Sequence, residues 1–391
     1  MLHNDPVTAT TPEVLAWRHA IHANPELGFQ EHKTAAFVAR TLRSFGIEVH
    51  EGIGGTGVVG VLRKGAGGPT IGLRAELDAL PIVEKANVSY ASTSNGVMHA
   101  CGHDGHTAML LGAAKILSQS TDFDGTVNFI FQPTEENEGG GMRMIEAGLF
   151  ARFPVDAIYA VHNWPGLPLG EIHTRVGPMM AAVDGFEIRF SGTGAHVAMP
   201  HLGDDPILAA SAFAGSVQRV VSLSVDPLTP LVVSITQIHG GNVGNVVPGE
   251  VWLQGTCRFL DPALSQHLES RIGEIAKGIA AAHGVAVRLD YRIGYPPLVN
   301  TQAAVNRAVE AASAAVGRDR VVTAFNPSLG CEDFAYMVRE VGGAYAWIGA
   351  GPAGPGEGLH GDRYVFNDAI VPIVLRYWVS LVQQTLPPAA T

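Results

Sequence analysis

The sequence predicts an α/β protein: a domain with a mostly parallel sheet, interrupted by an inserted α+β unit of ferredoxin-like pattern. Strand-like and helix-like runs alternate as far as about Ala182, as they do in a parallel sheet with crossover helices. From there to about Pro297 the order becomes β-α-β-β-α-β, that of a small ferredoxin-like unit. Beyond Pro297 the alternation resumes. The simplest architecture is therefore one α/β domain, residues 1–183 and 296–391, split by a second domain of residues 184–295. A chain of 391 residues exceeds one ordinary core, which agrees with two or three domains.

Apolar residues at three- and four-residue spacing in "PEVLAWRHAIHANPELG" and "EHKTAAFVARTLRSFG" predict two helices across residues 12–45. They part where "HANPELGFQE" supplies Asn-Pro and Gly. Short apolar runs separated by glycines, "TGVVGVLR", "TIGLRAELDALP", "GTVNFIFQPTEE" and "VDAIYAVHNW", predict strands, and a helix begins near Asp104 between the second and third. In the inserted stretch "DGFEIRFSGTG" alternates as a half-exposed strand and "DDPILAASAFAGSVQRVVS" is helical. "LVVSITQIHGG" and "EVWLQGTCRFL" are strands, "LSQHLESRIGEIAKGIAAAHG" is helical, and "VAVRLDYRIGYP" is the last strand. "TQAAVNRAVEAASAAVG", "GAYAWIGAG" and "AIVPIVLRYWVSLVQQTL" then give a helix, a strand and a C-terminal helix.

With 47% hydrophobic and 16% charged residues the chain suits a compact, well-buried protein. A net charge of −11 argues against general affinity for nucleic acid or anionic membranes, and no basic cluster is interleaved with aromatics. No run of about eighteen apolar residues is present to span a bilayer. The opening "MLHNDPVTATTPEVLAW" has no basic segment followed by an apolar one, so no secretory signal is expected. The three cysteines, Cys101, Cys257 and Cys331, are odd in number and far apart, which predicts reduced thiols and a cytoplasmic location.

The chemistry concentrates in "MHACGHDGHTAMLLGAA", where His99, Cys101, His103, Asp104 and His106 crowd together before a helix. Cys101 and His103 are two apart, and in an extended segment that spacing turns both to one face. A thiolate and an imidazole together suit borderline-soft divalent ions. The plainer alternative is a polar turn in which Asp104 caps the helix; Asp104 can also cap and still orient a ligating histidine. In "FIFQPTEENEGG" an apolar strand ends in the adjacent carboxylates Glu135 and Glu136. One can bind metal while the other shuttles a proton from an acidified water, the division that metal-assisted hydrolysis needs. His162 closes the strand "AIYAVHNWP", and His360 follows a Gly-rich loop in "GLHGDRYVFND". Strand ends of one parallel sheet meet along one edge. Cys101, His103, Glu136, His162 and His360 then make five ligands, too many for one tetrahedral zinc and suited to two ions sharing ligands.

"GLRAELDALP", "MHACGHDGHTAMLLGAA", "FQPTEE", "VHNWP", "SGTGAHVAMPH", "GGNVGNVVP", "GTCRF" and "LHGDRYVFND" resemble, in order, the signature segments of the hippurate hydrolase-like amidohydrolases. These belong to the dinuclear metal-dependent aminoacylase and carboxypeptidase superfamily. The resemblance implies an α/β catalytic domain with an inserted lid or dimerisation domain. It implies that Cys101, His103, Glu136, His162 and His360 bind two divalent ions (manganese, zinc, nickel or cobalt), that Glu135 is the general base and acid, and that Asp78 stands behind the metal site. His196 matches a lid histidine that stabilises an oxyanion, often across a dimer, and Asn245 matches a lid residue near the substrate. Two departures stand out: Glu76 replaces the histidine that the wider superfamily carries two residues before the acid, and Thr193 and Ala195 flank Gly194 where relatives often have Lys and Gly or Ser.

The activity implied is hydrolysis of N-acyl amino acids, of the N-aroyl, hippurate-like kind, to a carboxylic acid and a free amino acid. N-acetyl-amino-acid deacetylation or dipeptide cleavage on the same site is the alternative. The partners implied are a small-molecule substrate and further copies of the chain, as a dimer or tetramer. A metal-binding protein without activity would need neither paired carboxylates nor a separate lid.

Overall fold

The computed structural model of the chain describes residues 5–388. They divide into two compact units. One comprises the chain as far as Met179, Leu298–Asn326 and Asp333 onward; the other comprises Met180–Pro297 and Pro327–Glu332. The boundaries fall at Met179/Met180 and Pro297/Leu298 rather than at 183/184 and 295/296, and the segment Pro327–Glu332 leaves the first unit altogether. The cause is local pairing: Met180 bridges Ser328 and the Ala181 amide donates to the Gly330 carbonyl at 2.8 Å, which ties this segment to the start of the second unit.

The chain begins with α1 (Pro6–His22) and α2 (His32–Ser44), followed by β1 (Glu48–Ile53), β2 (Gly57–Lys64) and β3 (Thr70–Glu76). Helix α1 starts before Pro12, because the Asp5 side chain caps it by accepting from the Val7 amide and Pro6 fits the first turn. Next come α3 (His103–Gln119), β4 (Gly125–Gln132), α4 (Gly140–Glu146), α5 (Leu149–Arg152), β5 (Ala157–Trp164), β6 (Ile172–His173) and β7 (Gly177–Met180).

The second unit holds β8 (Ala182–Ser191), β9 (Ala195–His196), α6 (Pro206–Ser216), β10 (Leu231–Gly240), β11 (Val246–Val247), β12 (Glu250–Phe259), α7 (Leu264–His283) and β13 (Ala286–Ile293). Its four-stranded sheet has the order β10-β12-β8-β13, every neighbour antiparallel, which is the ferredoxin-like arrangement. Strand β8 alternates buried and half-buried residues along its whole length. Its inward Phe186, Ile188 and Phe190 share a core with Phe213 of α6 and Leu268 and Ile272 of α7. A separate ribbon pairs β9 with β11, His196 opposite Val246.

The chain returns through β14 (Leu298–Asn300), α8 (Gln302–Val316), β15 (Val321–Val322), α9 (Phe334–Val341), β16 (Gly343–Gly349) and α10 (Val371–Thr385). The large sheet of the first unit has the order β1-β2-β4-β3-β5-β16-β6-β15. Its centre, β4-β3-β5-β16, is parallel throughout, with Leu73 of β3 between Phe129 and Tyr159, while β2 joins β4 antiparallel and β1 in turn pairs antiparallel with β2. Strands β5 and β16 are buried on both faces, so they read as unbroken apolar runs rather than as alternation. Tyr159, Val161, Ala346 and Ile348 face the core shared with α3, α8 and α10. On the other face Tyr345 meets Phe334 of α9, ring centroids 5.9 Å apart. The parallel centre brings the carboxyl ends of β3, β4 and β5 to one edge, and the candidate site lies there.

Candidate metal centre

Cys101 and His103 share no extended segment. Gly102 between them is left-handed (φ 99°), and His103 is already the first residue of α3. A side chain at residue 102 would run into Asn163 and Tyr364, so the turn requires glycine. The sharp turn does what the expected strand was to do: it delivers both side chains to the carboxyl edge of the sheet. There Cys101 meets His162 from the end of β5, Sγ to Nε2 3.3 Å.

Beyond the end of β4, the loop that carries Glu135 and Glu136 starts from a left-handed Thr134 (φ 39°). His360 also has a left-handed backbone (φ 63°), and its Nε2 lies 3.2 Å from Glu136 Oε1. Donor atoms of Cys101, His103 and His162 lie within 4.8 Å of one another, as do those of Cys101, Glu136 and His360, and those of His103, Glu135 and Glu136. The five residues expected as ligands are thus brought together, with Glu135 beside them.

Asp78, just past the end of β3, orients this group. The His103 Nδ1 lies 3.0 Å from the Asp78 carbonyl and 3.2 Å from its Oδ1, while its Oδ2 accepts from the Glu136 amide at 3.1 Å. The His162 Nδ1 is held by the Asn163 carbonyl at 2.6 Å. Both imidazoles therefore turn Nε2 inward. His103 Nε2 is buried with no hydrogen-bond partner, an expensive arrangement that a bound cation relieves. Burial alone would lower the His103 pKa, but the Asp78 carboxylate outweighs it and holds the value up at about 10. Burial, then Glu136 and Glu135, push the Cys101 thiol well up. The carboxylates' share of both shifts marks a site rich in negative charge, which divalent cations would neutralise while ionising the thiol. One thiol, three imidazoles and adjacent carboxylates fit such ions.

Asp104 corrects an expectation. Gly102 occupies the cap position of α3 without a side-chain bond, and Asp104 sits in the first turn. One residue on from His103, it points about 100° away around the helix. It meets Arg18 Nη1 at 3.0 Å and His22 Nδ1 at 2.9 Å, not a ligating histidine. Glu76 is ion-paired with Arg74 and takes the His106 Nδ1 at 2.9 Å. His106 reaches Asn163 Oδ1 at 2.7 Å through its Nε2, and Asn163 donates to the Tyr364 hydroxyl at 2.7 Å. His106 thereby backs His162, ring centroids 4.5 Å apart. The sequence signal for it was its place three residues after His103, on the same face of α3. His99 is buried with neither ring nitrogen bonded, and burial pushes its pKa down to about 4.

His196 and Asn245 belong to the second unit, and both are exposed. The Asn245 carbonyl accepts from the Val197 amide at 3.2 Å. The His196 Nδ1 accepts from the Ala198 amide at 3.1 Å, which leaves its Nε2–H free to donate.

Comparison with known proteins fits this geometry. The profile of peptidase family M20/M25/M40 matches residues 72–384. The chain is 40% identical over 372 residues to the hippurate hydrolase of Campylobacter jejuni, covering 94% of this chain and 95% of that protein. It is 46% identical to an N-acyl-L-amino acid amidohydrolase of Geobacillus stearothermophilus over 74% of this chain and 78% of that one. It is 38% identical to an N-acetyl-L-cysteine deacetylase of Bacillus subtilis, covering 88% and 83% respectively. A solved Bacillus subtilis dinuclear metal-binding peptidase of the M20 family superposes with a TM-score of 0.84 at 33% identity, over 97% of this chain and 98% of that one.

Proposed function

The chain belongs to peptidase family M20/M25/M40, and we propose that it is a metal-dependent amidohydrolase that cleaves N-acyl amino acids to a carboxylic acid and a free amino acid. The observation that carries the proposal is the donor cluster at the sheet edge, five metal-type side chains with one further carboxylate, Glu135, among them. Cys101, His103, Glu136, His162 and His360 would hold two divalent cations, manganese, zinc, nickel or cobalt, the choice set by availability as much as by ligand type. Bound there, such cations would supply Lewis acidity to a carbonyl oxygen and would lower the pKa of water toward about 7. Glu135 takes the proton of the attacking water and returns it to the leaving amine. Asp78 keeps His103 in one tautomer and fixes the backbone at Glu136. His196 donates from Nε2 to the oxyanion and Asn245 contacts the substrate, the second unit acting as a lid and dimerisation domain.

Aromatic acyl groups of the benzoyl-glycine kind are the first substrates to try, because the hippurate hydrolase match covers most of both chains. Acetyl-amino acids come next, given the deacetylase match. Cys101, Cys257 and Cys331 are all free thiols, which supports a cytoplasmic enzyme. Among the described residues no helix is long and apolar enough to cross a membrane. We place the partner copy on β10, an edge strand whose outer half, through Ile238, is exposed. Light scattering should give a dimer or tetramer, and a monomer counts against this assignment.

The deciding experiment is a hydrolysis panel of benzoyl-, indole-acetyl- and acetyl-amino acids and dipeptides, with added manganese or zinc or with a chelator. The expected result is turnover of benzoyl-glycine or an acetyl-amino acid that chelation abolishes. No hydrolysis of any member by protein with two ions bound overturns the proposal. Glu135→Gln should keep both ions yet lose about 100- to 10,000-fold in kcat.

A further inference from the structure

Asp333 lies 198 residues from Glu135 in sequence, yet its carboxylate ties down both ends of the loop on which Glu135 sits. That loop runs from Gln132, the last residue of β4, to Gly140 at the start of α4. Gln132 Nε2 donates to Asp333 Oδ1 at 2.7 Å and to Oδ2 at 2.9 Å, and the Gly141 amide donates to Oδ2 at 2.8 Å. Arg74, which also pairs with Glu76, joins the group: its Nη2 reaches Oδ1 at 3.0 Å while its Nε donates to Gln132 Oε1 at 2.8 Å. Arg74 and Asp333 side chains are wholly buried. A Cβ at residue 141 would stand 3.1 Å from the Asp333 carbonyl and 3.3 Å from Oδ2, so glycine there lets the carboxylate approach. The Asp333 amide also faces Glu135, its nitrogen 3.4 Å from Oε1.

We propose that Asp333 is a positioning residue: its carboxylate closes the 132–141 loop and its amide aims the Glu135 carboxylate. The inference rests on the reading of Glu135 as general base. Within the loop the left-handed Thr134 is held by the Glu31 carboxylate at its amide, 2.8 Å, and by the Gly140 amide at its carbonyl, 3.0 Å, while Asp333 fixes the two ends. A shift of about 1 Å in a proton-transfer group costs on the order of 100-fold.

The test is Asp333→Asn, which keeps the volume and removes the charge that pairs with Arg74. The expected result is a fall in kcat of about 10- to 100-fold with KM within about twofold and unchanged metal stoichiometry. In a Glu135→Gln background the same substitution should cause no further loss, because the group it aims is gone. Hydrogen exchange, read by mass spectrometry, should rise in peptides covering 133–139 and stay unchanged in the central strands. An unchanged kcat, an equal loss in both backgrounds, or a loss restored by added metal overturns the proposal. If the wild type hydrolyses nothing in the panel, the functional reading fails, and unaltered exchange in 133–139 then separately overturns the clasp. Should Asp333→Asn not fold, Gly141→Ala crowds the same carboxylate more gently and should move the same readouts in the same direction.

Discussion

At His22 the fold stabilises a proton. Burial alone would lower its pKa, but the charge and hydrogen bond of Asp104, then Glu84, raise it above the ordinary histidine value. A raised folded-state pKa contributes stability that is fully present below the unfolded value of about 6.5 and fades as pH rises through the folded value. His22→Gln should therefore destabilise most at pH 6, on the order of 3–5 kcal/mol, as expected when one member of a buried pair is removed. Urea midpoints of variant and wild type should converge as pH rises through the raised folded value; a constant or widening gap removes His22 from this role. Cys101, His103, Glu135, Glu136 and His162 could be read from the chain because each sits in a short motif beside a recognisable helix start or strand end. The partners of Asp104 could not, since Arg18 and His22 lie 86 and 82 residues away and carry no local pattern. Asp333 was illegible for the same reason, 259 residues from Arg74.

Helix α3 shows what governs the elements. It is buried along nearly its whole length, so glycine within it serves packing rather than flexibility. A Cβ at Gly112 would lie 2.5 Å from Val14 Cγ2 and 2.8 Å from Leu375 Cδ2. Gly112→Ala gains about 1 kcal/mol of helix propensity and costs about 1–3 kcal/mol in overpacking. The net expectation is a lower melting temperature; a higher one would mean that α1 and α10 yield freely. The long helices, the strands of the small sheet and β2, β3, β4, β5 and β16 of the large one were legible because periodicity and unbroken apolar runs span enough residues to count, whereas the mostly exposed edge strand β1 was not. The two-residue strands β6 and β15 and the four-residue helix α5 left no such signal. The two strands owe their conformation to pairing with distant segments, as β15 pairs with β6 and β6 with β16.

For the whole molecule, the order of two units was legible and their limits nearly so, because a change in alternation marks a change of sheet. The return segment Pro327–Glu332 was not, since a bridge to Met180 decides its membership. The first unit also holds an asymmetry with a kinetic consequence. The Cys101, His103 and His162 triad is buried, whereas the His360 side chain is 53% exposed. Solvent and competing chelators reach one half of the centre first, so occupancy should be gained and shed in two stages. Stripping with a chromogenic chelator should show a fast release and then a slow one, with Cys101 guarded from thiol reagents until the second. Release in a single phase would mean that the sheltered half opens as readily as the wet one.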